Sequence, residues 1–174
     1  MQLKSFSYKD ETWELDNLQL GPVNLIVGKN AVGKSRAIAC LSAFGRIITQ
    51  REELSPETTW QSQFRFEQQT TLVYDFEVSR KPKVVLSEQL SRRVTARSHP
   101  IINRDKEVAE ICHYGSIERM RNHETISTTP PKDKLVIHSH RDGDKYPYTE
   151  HLIHWAENSY GFRFGNMSPL QSPT

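Results

Sequence analysis

Apolar positions at the start of the chain fall into two short groups of strand-like spacing. Leu3, Phe6 and Tyr8 precede the polar turn Lys9-Asp10-Glu11, and Trp13, Leu15, Leu18 and Leu20 follow it, which predicts an antiparallel pair of strands. Gly21-Pro22 breaks the chain before Val23-Asn24-Leu25-Ile26-Val27, a β-branched run of the kind that forms a strand buried on both faces. Beyond the next loop, Ala37, Ile38, Cys40, Leu41, Phe44, Ile47 and Ile48 recur at steps of three and four. That spacing lays a broad apolar face on a helix of about three to four turns, which Glu52, Glu53 and Ser55-Pro56 end.

The pattern then changes period. Phe64 and Phe66 alternate with polar residues, and Leu72, Tyr74, Phe76 and Val78 occupy one face of a half-buried strand whose other face carries Asp75 and Glu77. Arg80-Lys81-Pro82-Lys83 reads as a turn, after which Val84-Val85-Leu86 is expected to pair back, with Glu88 to Arg93 as its polar sequel. Residues 91–107 read as basic and irregular, and Val108, Ile111 and Ile117 fit a short helix. Thr129-Pro130-Pro131 is a linker and Leu135-Val136-Ile137 a predicted buried strand. Pro147 suits a first helical turn, and Leu152, Trp155, Ala156 and Tyr160 mark the face of a helix closed by Gly161. Residues 1–168 are thus expected to form one lobe, followed by an unstructured tail over 169–174.

Composition adds a constraint on surroundings. A chain of 174 residues suits one compact domain, but 36% hydrophobic against 25% charged residues is polar for such a domain and points to a partly exposed or partnered one. The net charge of +2 gives no field strong enough to recruit a phosphate backbone or an anionic membrane. No run approaches the roughly 18 apolar residues of a membrane span, and Met1 to Asp10 lacks a charged-then-apolar signal pattern, so a cytoplasmic chain without membrane contact is expected. Cys40 and Cys112 stand alone, which suggests neither a disulfide framework nor a cysteine-based zinc site.

The chemistry concentrates in one loop. Gly28-Lys29-Asn30-Ala31-Val32-Gly33-Lys34-Ser35 matches the Walker A pattern GxxxxGK[ST] in full, between a predicted strand and a predicted amphipathic helix. The glycines allow successive N–H groups to turn inward as an anion nest, and the helix adds its positive dipole end. Lys34 is expected to reach the β and γ phosphates of ATP, Ser35 to complete a Mg²⁺ shell, and the adjoining Arg36 to belong to the same site. A strand-to-helix turn that binds nothing is the bland alternative, and eight matched positions with both flanks in place favour nucleotide.

At these residues the sequence resembles a family. Trp13-Glu14-Leu15 to Leu20, then Asn24 to Ser35, is similar to the amino-terminal lobe of ABC-type ATPases of the SMC, RecF and OLD kind, often grouped as AAA-family ATPases. Lys134 to Ser139, and Trp155-Ala156 to Phe162-Arg163-Phe164-Gly165, are similar to segments in small prokaryotic members. Asn30 matches the family's GxNGxGKS loop, whereas Ala31 replaces its third glycine and stiffens the loop slightly. The resemblance implies an α/β P-loop NTPase lobe: a mixed nucleotide-binding sheet, a P-loop helix and an added antiparallel β-meander.

The family's remaining apparatus is not found in the sequence. No LSGGQ signature occurs, and Leu86-Ser87-Glu88-Gln89-Leu90 lacks its glycines. Leu135-Val136-Ile137 runs into His138-Ser139-His140-Arg141, so Asp142 is too far along to hold magnesium from that strand. Gln61, Gln63, Gln68 and Gln69 are the candidates for the family's glutamine loop, and none stands out against a polar strand edge. Hydrolysis is therefore expected to need a complementary carboxyl-terminal lobe or a second ATPase chain, with this chain a truncation or one half of a split enzyme.

Two weaker constellations remain. His138 and His140, with His151 and His154 on one helical face, supply four imidazoles, but without the fixed spacing of a zinc motif they read as packing or solvated residues. Arg80, Lys81, Lys83, Arg92, Arg93 and Arg97 form a basic stretch with Glu88 as its only acid; it lacks interleaved aromatics, which favours a solvated surface while leaving DNA as an open partner. Against the ATPase-lobe reading stand a complete small P-loop kinase, with Arg92, Arg93 and Arg97 as lid arginines, and a non-catalytic module that binds nucleotide or only its partner. Topology separates the first, because such a kinase alternates strands and helices around a parallel sheet.

Overall fold

The computed structural model describes residues 1–27, 29, 33–67, 69–95, 97–114 and 123–159. The amino-terminal hairpin forms as its spacing predicts, with β1 over Gln2–Lys9 and β2 over Glu14–Gln19. Helix α1 runs from Lys34 to Ile48 and buries Ala37, Cys40, Phe44, Ile47 and Ile48 of the stripe that the three-and-four spacing marks out, while Leu41 is half-buried and Ile38 is exposed. A continuous meander follows: β3 Thr58–Glu67, β4 Thr70–Val78, β5 Val85–Val94, β6 Arg97–Asp105, β7 Val108–Tyr114 and β8 His123–Thr128. A short 3-10 turn over Val136–His138 and helix α2 over Pro147–Glu157 complete the described chain.

The described strands make one sheet in the order β2-β1-β3-β4-β5-β6-β7-β8, and every pairing in it is antiparallel. Both helices cover the same face. Phe44 of α1 sits among the rings of Phe6, Trp60, Phe64, Tyr74 and Phe76, with centroids 5.3 to 6.4 Å away. Trp155 of α2 meets both Phe44 at 6.1 Å and Phe64 at 4.8 Å. Because side chains alternate along a strand, Gln61, Gln63 and Arg65 of β3 face away from the helices, and that second face is polar. The low apolar fraction of the sequence therefore reflects a sheet covered on one side only.

This architecture corrects the expected α/β lobe with a mixed sheet. The antiparallel meander is present and extends to β8, but the parallel element is missing among the described residues. Val23–Val27 is not a buried strand: Val23, Leu25 and Val27 are 90%, 86% and 75% exposed, and no described strand pairs with them. A parallel strand needs a neighbour supplied through a crossover. Here α1 leads instead to β3, which pairs antiparallel with β1, so among the described residues no strand lies beside the run at 23–27.

Three local expectations also change. Residues 91–107 are not irregular, since β5 and β6 pair from Ser87 with Asp105 to Val94 with Arg97. Val108 and Ile111 lie on a strand, not a helix: Ala109 and Ile111 are buried while Val108 and Glu110 are exposed, a period of two. Leu135, Val136 and Ile137 are fully buried as expected but form a 3-10 turn, because the carboxylate of Glu88 takes the N–H groups of Val136 and Ile137 that a neighbouring strand would otherwise accept. Ile117, Tyr160, Gly161, the similar segment 162–165 and the tail 169–174 lie outside the described residues. Among the described residues no helix is long and apolar enough to cross a membrane.

Candidate functional site

The Walker A segment joins 23–27 to α1. Lys29, Gly33, Lys34 and Ser35 are described, whereas Gly28, Asn30, Ala31 and Val32 lie outside the described residues. Gly33 caps α1 in the left-handed conformation, φ +89°, which a side chain disfavours. Its carbonyl accepts the first helical bond, from Ala37 N–H at 2.9 Å. No side chain caps this end, and the first turn of α1 itself holds no acid. The Lys34 ammonium folds back and donates to the carbonyl of Lys29, while Ser35 is exposed.

Around this end sits a cluster that the sequence pattern presents only as a polar turn. Tyr8 at the end of β1, Asp10 and Thr12 in the turn, and Trp13 before β2 come together with Arg36 on the first turn of α1. Arg36 donates to Asp10 Oδ2 at 2.6 Å and to Thr12 Oγ1 at 2.9 Å, and its guanidinium lies 4.9 Å from the centre of the Trp13 ring. Arg36 thus has its fork turned to the hairpin. Burial pulls the Asp10 pKa upward, but hydrogen bonds from the Thr12 backbone, Tyr8, the Thr12 hydroxyl and Arg36 outweigh it and hold the carboxyl well below its usual range. Burial, then the hydrogen bond to Asp10, push the Tyr8 hydroxyl in the opposite direction, well above the ordinary phenol range. The only signal in the sequence is an aspartate two residues before a threonine, the spacing of a self-bonding turn.

The other sequence candidates do not converge on this loop. Gln61 and Gln63 line a polar hollow with Ser5, Ser7 and Asp75, on the sheet face opposite α1, so neither is beside Ser35; Gln69 is exposed and Gln68 is outside the described residues. Asp142 holds its own turn, accepting the N–H groups of Asp144 at 3.1 Å and Lys145 at 3.2 Å. The four histidines do not converge: His138 Nε2 bonds the Ile47 carbonyl at 3.0 Å, His140 sits edge-on to Tyr146, the exposed His151 lies against Phe66, and His154 is exposed beside Asn158. Burial lowers the pKa of His138, which keeps its ring neutral against the end of α1. Among the described residues no group of three or more histidine, cysteine or acidic side chains is placed to hold a metal ion.

The basic stretch is likewise dispersed. Arg80 pairs with Glu11 and Glu57, Lys83 with Glu53 at 2.8 Å, and Arg92 donates to the Tyr148 hydroxyl at 2.8 Å on the helix-covered face. Glu88, the acid within that stretch, is fully buried and belongs to the core. Of the six basic residues, Arg80 and Lys83 are thus paired with acids and Arg92 is turned toward α2. In comparisons with known proteins, no family model, no curated protein and no solved structure matches the chain.

Proposed function

We propose that the chain is the ATP-binding lobe of an SMC/RecF-like ABC-type ATPase, which takes Mg-ATP on Gly28 to Ser35 and hydrolyses it only with a complementary lobe or second ATPase chain. The observation that carries this reading is the complete eight-position Walker A sequence running into α1, whose opening turn has no cap and no acid of its own. Lys34 supplies a point charge to the phosphates and Ser35 a hydroxyl to the magnesium ion. The exposed Val23, Leu25 and Val27, just before the loop, support the need for a partner, since a β-branched run of this kind is stable when strands flank it. The kinase alternative requires alternating strands and helices around a parallel sheet, and the antiparallel meander gives it no support.

Titration of the chain with a fluorescent ATP analogue tests the proposal. Lys34→Ala should weaken binding by about tenfold or more, near 1.4 kcal/mol, and Ser35→Ala should weaken it chiefly when Mg²⁺ is present. Phosphate release by the isolated chain should not exceed that of Lys34→Ala. Equal binding by the wild type and Lys34→Ala would remove the loop as the site, and steady turnover abolished by Lys34→Ala would remove the need for a partner.

A further inference from the structure

One carboxylate ties the β1–β2 turn to the first turn of α1. Asp10 Oδ1 accepts the N–H groups of Thr12 and Trp13 at 2.8 and 2.9 Å and the Thr12 hydroxyl at 2.9 Å. Its Oδ2 accepts the Tyr8 hydroxyl at 2.8 Å and the Arg36 guanidinium at 2.6 Å. Tyr8 is anchored in turn against Trp60, with ring centroids 4.5 Å apart, so the carboxylate is fixed from the core side. Trp13, whose N–H is bound by Asp10, lies under the Arg36 guanidinium and also against Gly33: a Cβ built on Gly33 would stand 3.2 Å from the indole nitrogen. The residues on either side of Lys34-Ser35 therefore both rest on Trp13, and Trp13 and Arg36 share Asp10.

From this arrangement we infer that Asp10, Trp13 and Arg36 form a latch that positions the Walker A end of α1, with Arg36 a positioning residue and not a phosphate ligand. The inference rests on the reading of this loop as a nucleotide site. An anion nest is effective when its N–H groups are already oriented before the phosphate arrives, because ordering them on binding costs affinity. The α1 end has no side-chain cap of its own to order it. The latch supplies that order from outside the helix, through an ion pair whose carboxylate is only 19% exposed and a ring packed against the capping glycine. With its fork engaged by Asp10 and Thr12, Arg36 is directed at the hairpin, so its charge acts on the loop through geometry.

The test uses the full chain and the variants Asp10→Asn, Arg36→Ala and their combination. Asp10→Asn retains an oxygen for the Thr12 and Trp13 N–H groups, which keeps the turn while removing the charge that holds Arg36; circular dichroism checks that each variant is folded. Without nucleotide, hydrogen exchange at residues 33–36 and the ¹⁹F resonance of fluorotryptophan at position 13, assigned with Trp13→Phe, read the loop directly. Each single variant should speed the exchange, shift that resonance and weaken ATP binding by about tenfold, and the double variant should be no worse than either single one. Arg36→Ala weakening ATP while Asp10→Asn leaves it unchanged or tighter would make Arg36 a direct phosphate ligand and overturn the latch. Unchanged exchange and an unshifted resonance in both single variants would overturn it as well. Wild-type chain that takes up no ATP, with loosening in the variants as expected, would remove the nucleotide reading and leave the latch standing.

Discussion

Glu88 of β5 and Arg104 of β6 stand opposite each other across the sheet, both fully buried, and each is satisfied mainly by the same returning segment of backbone. Glu88 accepts the N–H groups of Val136 at 2.5 Å and Ile137 at 3.2 Å, and the Tyr74 hydroxyl at 3.0 Å. Arg104 donates to the carbonyls of Lys106, Lys134 and Pro131 at 2.9, 2.6 and 3.1 Å. The pair thus fastens residues 131–137 to the sheet, and it serves both the donors and the acceptors of that segment. Truncating either side chain would leave buried backbone groups of that segment unpaired, at a cost on the order of 1 to 3 kcal/mol for each group.

The same site makes stability depend on pH. Burial raises the Glu88 pKa to about 7, against the hydrogen bonds from Val136, Ile137 and Tyr74 and the charge of Arg104, which lower it. The native state therefore retains a proton that the unfolded chain, at the ordinary value of 4.5, releases first, so this group's contribution to stability falls as pH rises from 4.5 to about 7. His138 acts in the opposite sense: burial lowers its pKa from 6.5, and its contribution is lost as pH falls through that value. Glu88→Gln isolates the carboxyl. Relative to wild type the variant should gain up to about 3 kcal/mol between pH 4.5 and about 8 in urea unfolding at fixed pH, because a tenfold difference in proton affinity between the folded and unfolded chain is worth about 1.4 kcal/mol. A difference that does not change with pH would mean that Glu88 ionises like an exposed carboxyl.

Phe44 is the centre of the ring cluster that joins α1 to the sheet. It is fully buried, stacked near-parallel to Phe76 at an interplanar angle of 7° and to Phe64 at 18°. Phe44→Ala should cost about 3 to 5 kcal/mol, read as a lower urea midpoint with unchanged slope. Phe44→Leu, which fills most of the space, should cost clearly less. Equal losses would show that ring stacking outweighs volume here.

Val23, Leu25 and Val27 are all exposed, which leaves an apolar patch just before the Walker A loop. The isolated chain should associate through it. Leu25→Ser combined with Val27→Ser should reduce concentration-dependent light scattering while changing unfolding free energy by no more than about 0.5 kcal/mol. Undiminished scattering would place the sticky surface elsewhere.

What the sequence disclosed follows the range over which each signal acts. The hairpin around Asp10, the stripe from Ala37 to Ile48 and the alternating face of Leu72 to Val78 depend on local periodicity, and all three are present. The strand expected at 23–27 failed because a continuous apolar run shows the capacity to be buried and says nothing about which neighbour will bury it. Leu135 to Ile137 failed differently: burial was legible, but the turn depends on Glu88, some fifty residues away in sequence, which looks like a surface acid within a basic stretch. The Walker A residues are legible because their spacing is contiguous. The latch beside them joins Asp10 to Arg36, and no local pattern reports a contact across that separation.

Gly33 provides the sharpest test of the loop itself. Within a helix, glycine to alanine normally stabilises by reducing the freedom of the unfolded chain. Here two observations reverse the sign: φ is +89°, where a Cβ costs about 1 to 2 kcal/mol, and that Cβ would stand 3.2 Å from the Trp13 indole nitrogen, closer than ordinary packing allows. Trp13 is held by Asp10 and Arg36 and yields poorly, so the strain should be relieved by fraying the first turn of α1. Gly33→Ala should therefore lower unfolding stability by about 1 to 2 kcal/mol, speed hydrogen exchange at residues 33–37 and weaken binding of the ATP analogue. Combining it with Trp13→Ala should recover part of the lost exchange protection by opening the space that the new methyl group needs. Stability equal to wild type, with protection of residues 33–37 intact, would show that position 33 leaves the left-handed region without cost and that the capping conformation does not order the loop.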